Sequence, residues 1–241
     1  MRLAIRPASP TDAPTLATIN IAAFTNQPFI SSAFPAVSAE AAHALKRARW
    51  TQKLATPNTP IWAAVDEDTG AVVGCARWSF PAPADADATE AEADKHKHKA
   101  AESAASAGGA ESPWVSTALP LPEGTNRAAY EGFFGTLKEK ATEYVRDNDI
   151  ECNAVLDFIA TSPESQGQGV ARALLTWGME EGDKTQRRIY LEATTEGFPV
   201  YAKYGWRILE RIEMDFARWG GEGRQELTLM MRDPRPAPLR A

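Results

Sequence analysis

The chain has 241 residues, 44% of them hydrophobic and 24% charged, the balance of a globular protein with a sizeable core spread over one large domain or two small ones. Acidic residues outnumber basic ones 32 to 26 for a net charge of -6, which argues against a nucleic-acid partner, since such binders present a basic face. Two cysteines, Cys75 and Cys152, are too few for a disulfide framework, and neither an 18-residue apolar span nor a signal-type apolar start is present, so the expectation is a cytoplasmic protein, with the nucleus possible and no membrane contact.

Residues 3–6 are apolar and predict a strand. Ser9, Thr11 and Asp12 are helix-start signals, and Leu16, Ile19, Ala23 and Phe24 fall on one helical face, predicting a helix over 13–24. Pro28 and Pro35 break the pattern. Residues 38–54, rich in Ala, Lys and Arg, predict a second helix whose polarity marks a surface element, with His43 as a solvated side chain. Two β-prone runs, 61–65 and 71–78, flank a polar turn ending in Gly70 and predict an antiparallel hairpin that holds Cys75 as a small core residue.

From residue 81 to 112 the composition collapses to Ala, Asp, Glu, Lys, Ser and Gly. Such a segment has too little apolar surface to offset its ordering entropy, which predicts a flexible insertion. His96 and His98 lie there in a Lys-His-Lys-His-Lys run without Cys or acidic partners at ligand spacing, so they read as solvated charge and no metal is expected. Tyr130, Phe133, Phe134, Leu137, Ala141 and Tyr144 then recur at helical spacing and predict a helix over 126–147 with an aromatic core face. A strand over 154–161, a helix ending near Gly182, a strand over 188–193, a short helix opened by Pro199 and closed by Gly205, and two last strands over 208–216 and 226–232 complete the order. The tail, 234–241, reads as loose. No internal repeat is visible. The elements describe one α+β domain over 1–233, layered α/β/α, with a mixed and mostly antiparallel sheet interrupted by the insertion.

The stretch that organises the chemistry is Leu-Asp-Phe-Ile-Ala-Thr-Ser-Pro-Glu-Ser-Gln-Gly-Gln-Gly-Val-Ala, residues 156–171. A β-prone run meets Pro163, then small residues where a helix begins, so several N–H groups can converge on one anion beside a partial positive charge. Three phosphate loops compete. A Walker loop requires Lys followed by Ser or Thr, and none follows Gly167. A dinucleotide fingerprint requires Gly or Ala where Arg172 stands. The form [Q/R]-x-x-G-x-[G/A] is met by Gln166-Gly-Gln-Gly-Val-Ala171.

That third form resembles the acetyl-coenzyme A loop of the GCN5-related N-acetyltransferase (GNAT) superfamily. A second segment, Tyr190-Leu-Glu-Ala followed by Pro199-Val-Tyr-Ala-Lys-Tyr-Gly-Trp206, is similar to the superfamily's second cofactor motif. The likeness spans almost the whole chain outside 81–112. It implies a sheet splayed between its fourth and fifth strands, with the pantetheine arm of acetyl-CoA on the backbone of Phe158, Ile159, Ala160 and Thr161. It also implies a pyrophosphate on the N–H groups of Gln166, Gly167, Gln168, Gly169, Val170 and Ala171. Tyr201 occupies the family's position for the acid that protonates the leaving thiolate.

The base is a different matter. Histone-type members place a Glu where this chain has Val155. Asp157, two residues on and so on the same strand face, is one substitute, and Glu192 on the next strand is another. The resemblance implies an acetyl-CoA-dependent N-acetyltransferase, monomeric or homodimeric. A small-molecule amine is the expected acceptor, because residues 190–201 are similar to those of puromycin-type acetyltransferases. A protein lysine or N-terminal acetyltransferase stands as an alternative, and a non-catalytic acyl-CoA sensor as one of another class.

Overall fold

The computed structural model describes residues 1–56, 60–80, 119–146 and 154–236. The insertion over 81–112 with His96 and His98, Cys152, and residues 237–241 of the tail lie outside them. Strand β1 (Leu3–Pro7) leads through a 3-10 turn into α1 (Ala13–Phe24). The junction is fixed by Asp12, which receives a backbone bond from Ser9 at 2.7 Å and a forked pair from Arg6 at 2.8 Å each. Arg6 is the first cause that holds the Asp12 carboxyl down at about 2.

Between the first two expected helices lies one that the prolines concealed. Pro28 does not break structure but opens α2 (Pro28–Ala33), where its missing N–H costs nothing at a first turn. Phe29 on α2 stacks on Phe133 at 4.1 Å, and that packing holds so short a helix in place. Helix α3 (Ala39–Ala55) starts at Ser38, whose hydroxyl accepts from Ala41 N at 3.1 Å. His43 on α3 lies 3.1 Å from the Thr18 hydroxyl at the surface.

The hairpin is β2 (Ile61–Asp66) and β3 (Val72–Ser79), with Cys75 fully buried. Helix α4 (Arg127–Arg146) carries its aromatic face inward as expected. Strand β4 (Ala154–Thr161), helix α5 (Val170–Lys184), strand β5 (Ile189–Thr194) and the short helix α6 (Phe198–Lys203) follow. Strands β6 (Arg207–Asp215) and β7 (Arg224–Arg232) finish the sheet. Among the described residues no helix is long and apolar enough to cross a membrane.

One sheet of seven strands runs β1-β2-β3-β4-β5-β7-β6, antiparallel throughout except for the parallel β4–β5 pair. Helix α5 covers one face, packing Val170, Leu174 and Leu175 on Trp78, Leu156 and Met230. Helices α1 and α3 cover the other face over β3 and β4, and α4 covers it over β5, β6 and β7. The expected three layers are therefore present.

Two local features of β4 shape the site. Its register with β3 shifts between Arg77 and Trp78, which face Phe158 and Leu156, so Asp157 is an extra, bulged residue. Because of that shift Leu156 joins the α5-side core while Phe158 joins the α1-side core. The pairing of β4 with β5 stops almost as soon as it starts, at Ala154 with Ile189 and Val155 with Tyr190. Beyond these pairs the strands diverge, and this is the splay expected between the fourth and fifth strands.

Candidate active site

A cavity of about 810 Å³ opens where β4 and β5 separate. Phe158, Ile159, Ala160 and Thr161 form part of its wall. On its other edge β4 is saturated by β3: Ser162 N donates to Val73 O at 2.8 Å. Counting back by the alternation of an antiparallel ladder, Ile159 and Thr161 direct their N–H and C=O groups into the cleft. A strand edge that no strand covers can pair with an extended polar chain.

The glycine loop sits at the end of that edge. Gln166, Gly167, Gly169, Val170 and Ala171 line the cavity. Gln168 is exposed, and its amide donates to Glu164 O at 2.9 Å, closing the turn. Gly167 and Gly169 have φ of +74° and +88°, left-handed values that favour glycine, and a Cβ at either would meet open space. The glycines are thus required by conformation, and the small profile leaves the first-turn N–H groups of α5, which have no intrahelical acceptor, open to the cavity.

Tyr201 projects from α6 into the same cavity, nearly buried, with its ring edge-on to Trp206 at 5.9 Å. Burial alone pushes its hydroxyl pKa up, so it is protonated at neutral pH. Glu192 on β5 and Glu196 in the following loop also line the cavity, the latter accepting from Gln27 at 3.2 Å. Glu192 neighbours the buried Tyr190 hydroxyl, whose pKa is raised by burial first and by that carboxylate second.

Asp157 lies elsewhere. It is fully buried and is not among the residues that line the cavity. Arg77 Nε stands 3.6 Å from its carboxylate and the Ser79 hydroxyl donates to it at 2.5 Å. Burial raises its pKa, and Arg77, Ser79 and Lys53 oppose the rise in that order. Arg77 itself does line the cavity, so Asp157 sits one layer behind the wall.

The α3 wall was not anticipated. Lys46, Arg49, Trp50 and Lys53 recur at i, i+3, i+4 and i+7 and all line the cavity, so this surface helix, exposed along much of its length, turns one face inward. Trp50 packs edge-on to Phe158 at 5.2 Å and Arg49 is buried. Burial lowers the Lys46 pKa to about 8 with help from Arg49, and lowers Lys53 to about 7 with help from Arg77. Phe29, Phe133, Phe134 and Leu137 add an apolar wall. The available signal was Trp50 in register with three basic residues, a stripe no solvent-facing helix needs.

Residues 136–216, which hold β4, the glycine loop, α5, β5 and α6, match the acetyltransferase (GNAT) domain family model. The arylalkylamine N-acetyltransferase 2 of Aedes aegypti superposes with a TM-score of 0.61 at 14% identity, over 98% of this chain and 100% of its own. The chain has the GNAT fold. Two further GNAT-fold likenesses agree with this architecture. The polyamine N-acetyltransferase of Drosophila melanogaster gives a TM-score of 0.56 at 11% identity, covering 96% of this chain and 100% of its own. An acetyltransferase of Corynebacterium glutamicum, related to histone acetyltransferase HPA2, gives 0.55 at 21% identity, covering 99% and 100%. No curated protein matches the chain by sequence.

Proposed function

We propose that the protein is an acetyl-CoA-dependent N-acetyltransferase that acetylates a primary amine of a small molecule. The observation that carries this reading is the meeting, in one cavity, of the uncovered β4 edge, the glycine loop at the start of α5, and Tyr201. The residues present fit acetyl-CoA. Ile159 and Thr161 offer backbone partners to a pantetheine arm, and Gly167 and Gly169 leave room for a pyrophosphate at a helix start. Acetyl-CoA, when bound, supplies an acetyl group activated as a thioester.

The chain's own residues do the rest. An alkylammonium with a pKa near ~10.4 is almost wholly protonated at neutral pH and must lose a proton before it can attack. Glu192, a carboxylate in the cavity wall, takes the base role in this reading. Asp157 acts through Arg77 as a positioning residue, since it has no face on the cavity. Tyr201 holds a proton at Oη for the departing sulfur. The aromatic wall of Phe29, Phe133 and Phe134 excludes water from the acceptor side.

A small amine is favoured over a protein because the Aedes and Drosophila enzymes are an arylalkylamine and a polyamine N-acetyltransferase. The test is thiol release from acetyl-CoA with a panel of amines and peptides. Tyr201→Phe should lower kcat by ~10²–10⁴ with little change in KM, the usual range for one general acid. Binding of acetyl-CoA with no turnover on any amine would favour a non-catalytic sensor. Absence of thermal stabilisation by acetyl-CoA would end the reading.

A further inference from the structure

Buried arginines in this fold come with carboxylates. Arg232 is forked onto Asp183 with both bonds at 2.8 Å, and Arg77 stands beside Asp157 at 3.6 Å. Arg49 breaks the pattern. It is 7% exposed, it lines the cavity, its Nε has no hydrogen-bond partner, and it joins no ion pair among the described residues. Its guanidinium lies 5.4 Å over the Tyr130 ring, a contact that stabilises a cation without neutralising it. A buried charge left without a counter-charge is strongly unfavourable, so a ligand that brings one gains by removing that cost.

The surroundings have the same sign. Lys46 and Lys53, one turn either side of Arg49 on α3, face the same cavity. The cavity carboxylates stand on a different wall: Glu192 is on β5, and Glu196 in the following loop is engaged by Gln27. The site therefore has a positive wall on α3 and a negative wall at β5. A simple monoamine or a polyamine would satisfy only the second.

We infer that the acceptor is an amine that also carries an oxyanion, a carboxylate or phosphonate, which seats on the fork of Arg49 while its amine is turned toward Glu192. The substrate class is thus amino acids or aminophosphonates and their close derivatives. The inference rests on the acetyltransferase reading and narrows it.

The experiment compares amines that differ only in the acid: tyramine with tyrosine, cadaverine with lysine, and propylamine with 3-aminopropylphosphonate. The acid-bearing member of at least one pair should be preferred at least tenfold in kcat/KM. Arg49→Gln should remove most of that preference through KM and leave acetyl-CoA affinity unchanged. Arg49→Lys should keep part of it, because charge survives while the planar fork is lost. Arg47→Gln, on the exposed side of α3, should leave the preference intact. Near-ultraviolet circular dichroism checks that each variant is folded.

Preference for the plain amine in every pair would overturn the inference. So would Arg49→Gln weakening acetyl-CoA instead, since the arginine would then serve the coenzyme's phosphates. A readout without turnover separates this inference from the function it rests on. Calorimetric titration of 3-phenylpropionate, a carboxylate without a phosphate for the glycine loop, into the protein should show binding that Arg49→Gln abolishes. If the protein fails to bind acetyl-CoA, the function falls, and this titration decides the anion site: binding lost in Arg49→Gln supports it, and no binding overturns it.

Discussion

Lys53 shows how a side chain that a sequence places in solvent becomes a titrating group near neutrality. Its ammonium is desolvated in the cavity wall and repelled by Arg77, which brings it to about 7, with Asp157 pulling the other way and Lys46 and Arg49 adding to the repulsion. The unfolded chain holds this proton up to about 10.4, so between these values the unfolded state binds more protons than the folded one. Stability must then rise with pH across that window, and the penalty is fully present below the folded pKa. Lys53→Met should therefore stabilise the free protein at pH 7, and the gain should shrink as pH approaches 10. Urea midpoints of wild type and variant at pH 7 and pH 9 measure it, the difference between the two proteins cancelling the other groups that titrate there. A gain equal at both pH values would assign the effect to packing instead.

At the scale of elements, α5 is held to the sheet by an absence. A Cβ at Gly178 would fall 2.2 Å from the ring of Trp78, a fully buried side chain that cannot yield. Alanine at this position would gain up to ~1 kcal/mol of helix propensity if the helix were free. Overpacking costs ~1–3 kcal/mol or more and should win, so Gly178→Ala is expected to be destabilising by about 1–2 kcal/mol, read as a lowered midpoint in urea unfolding. Helix α5 itself, the glycine loop and both hairpin strands were legible because periodicity and turn residues are local. Helix α3 was legible in extent and as a surface helix but not in its inner face: basic residues count as solvent-facing in any hydropathy pattern, and only the cavity reveals that Arg49 and Lys53 turn inward. Helix α2 was lost because a proline is both a helix breaker and a good first-turn residue, and the choice was made by Phe29 reaching Phe133 on a distant helix. The bulge that hides Asp157 depends on the register of β3 against β4, which no local pattern states.

Over the whole molecule, the sheet is two halves joined by little strand pairing. Among the described residues, strands β1 to β4 and the group β5, β7 and β6 share ladder contacts only at Ala154 with Ile189 and Val155 with Tyr190. On the α5 face a continuous core bridges them, with Trp78 and Leu156 from one half meeting Ile189 and Met230 from the other. On the opposite face Val155 packs against the Tyr190 cluster beside the paired residues, and beyond it the cavity lies where such a core would continue. The uncovered β4 edge is consequently a place where the fold is incomplete alone, and a ligand that pairs with Ile159 and Thr161 finishes it. Binding at ~100 times Kd stabilises the folded state by about 2.7 kcal/mol, equivalent to a ~100-fold fall in opening. Amides that exchange by separation of the halves should slow by up to that factor when acetyl-CoA is present, with the largest effect in β4 and at the start of α5. Hydrogen exchange with and without acetyl-CoA measures this. Protection confined to α3, with β4 unchanged, would move the coenzyme out of the cleft and onto the basic wall.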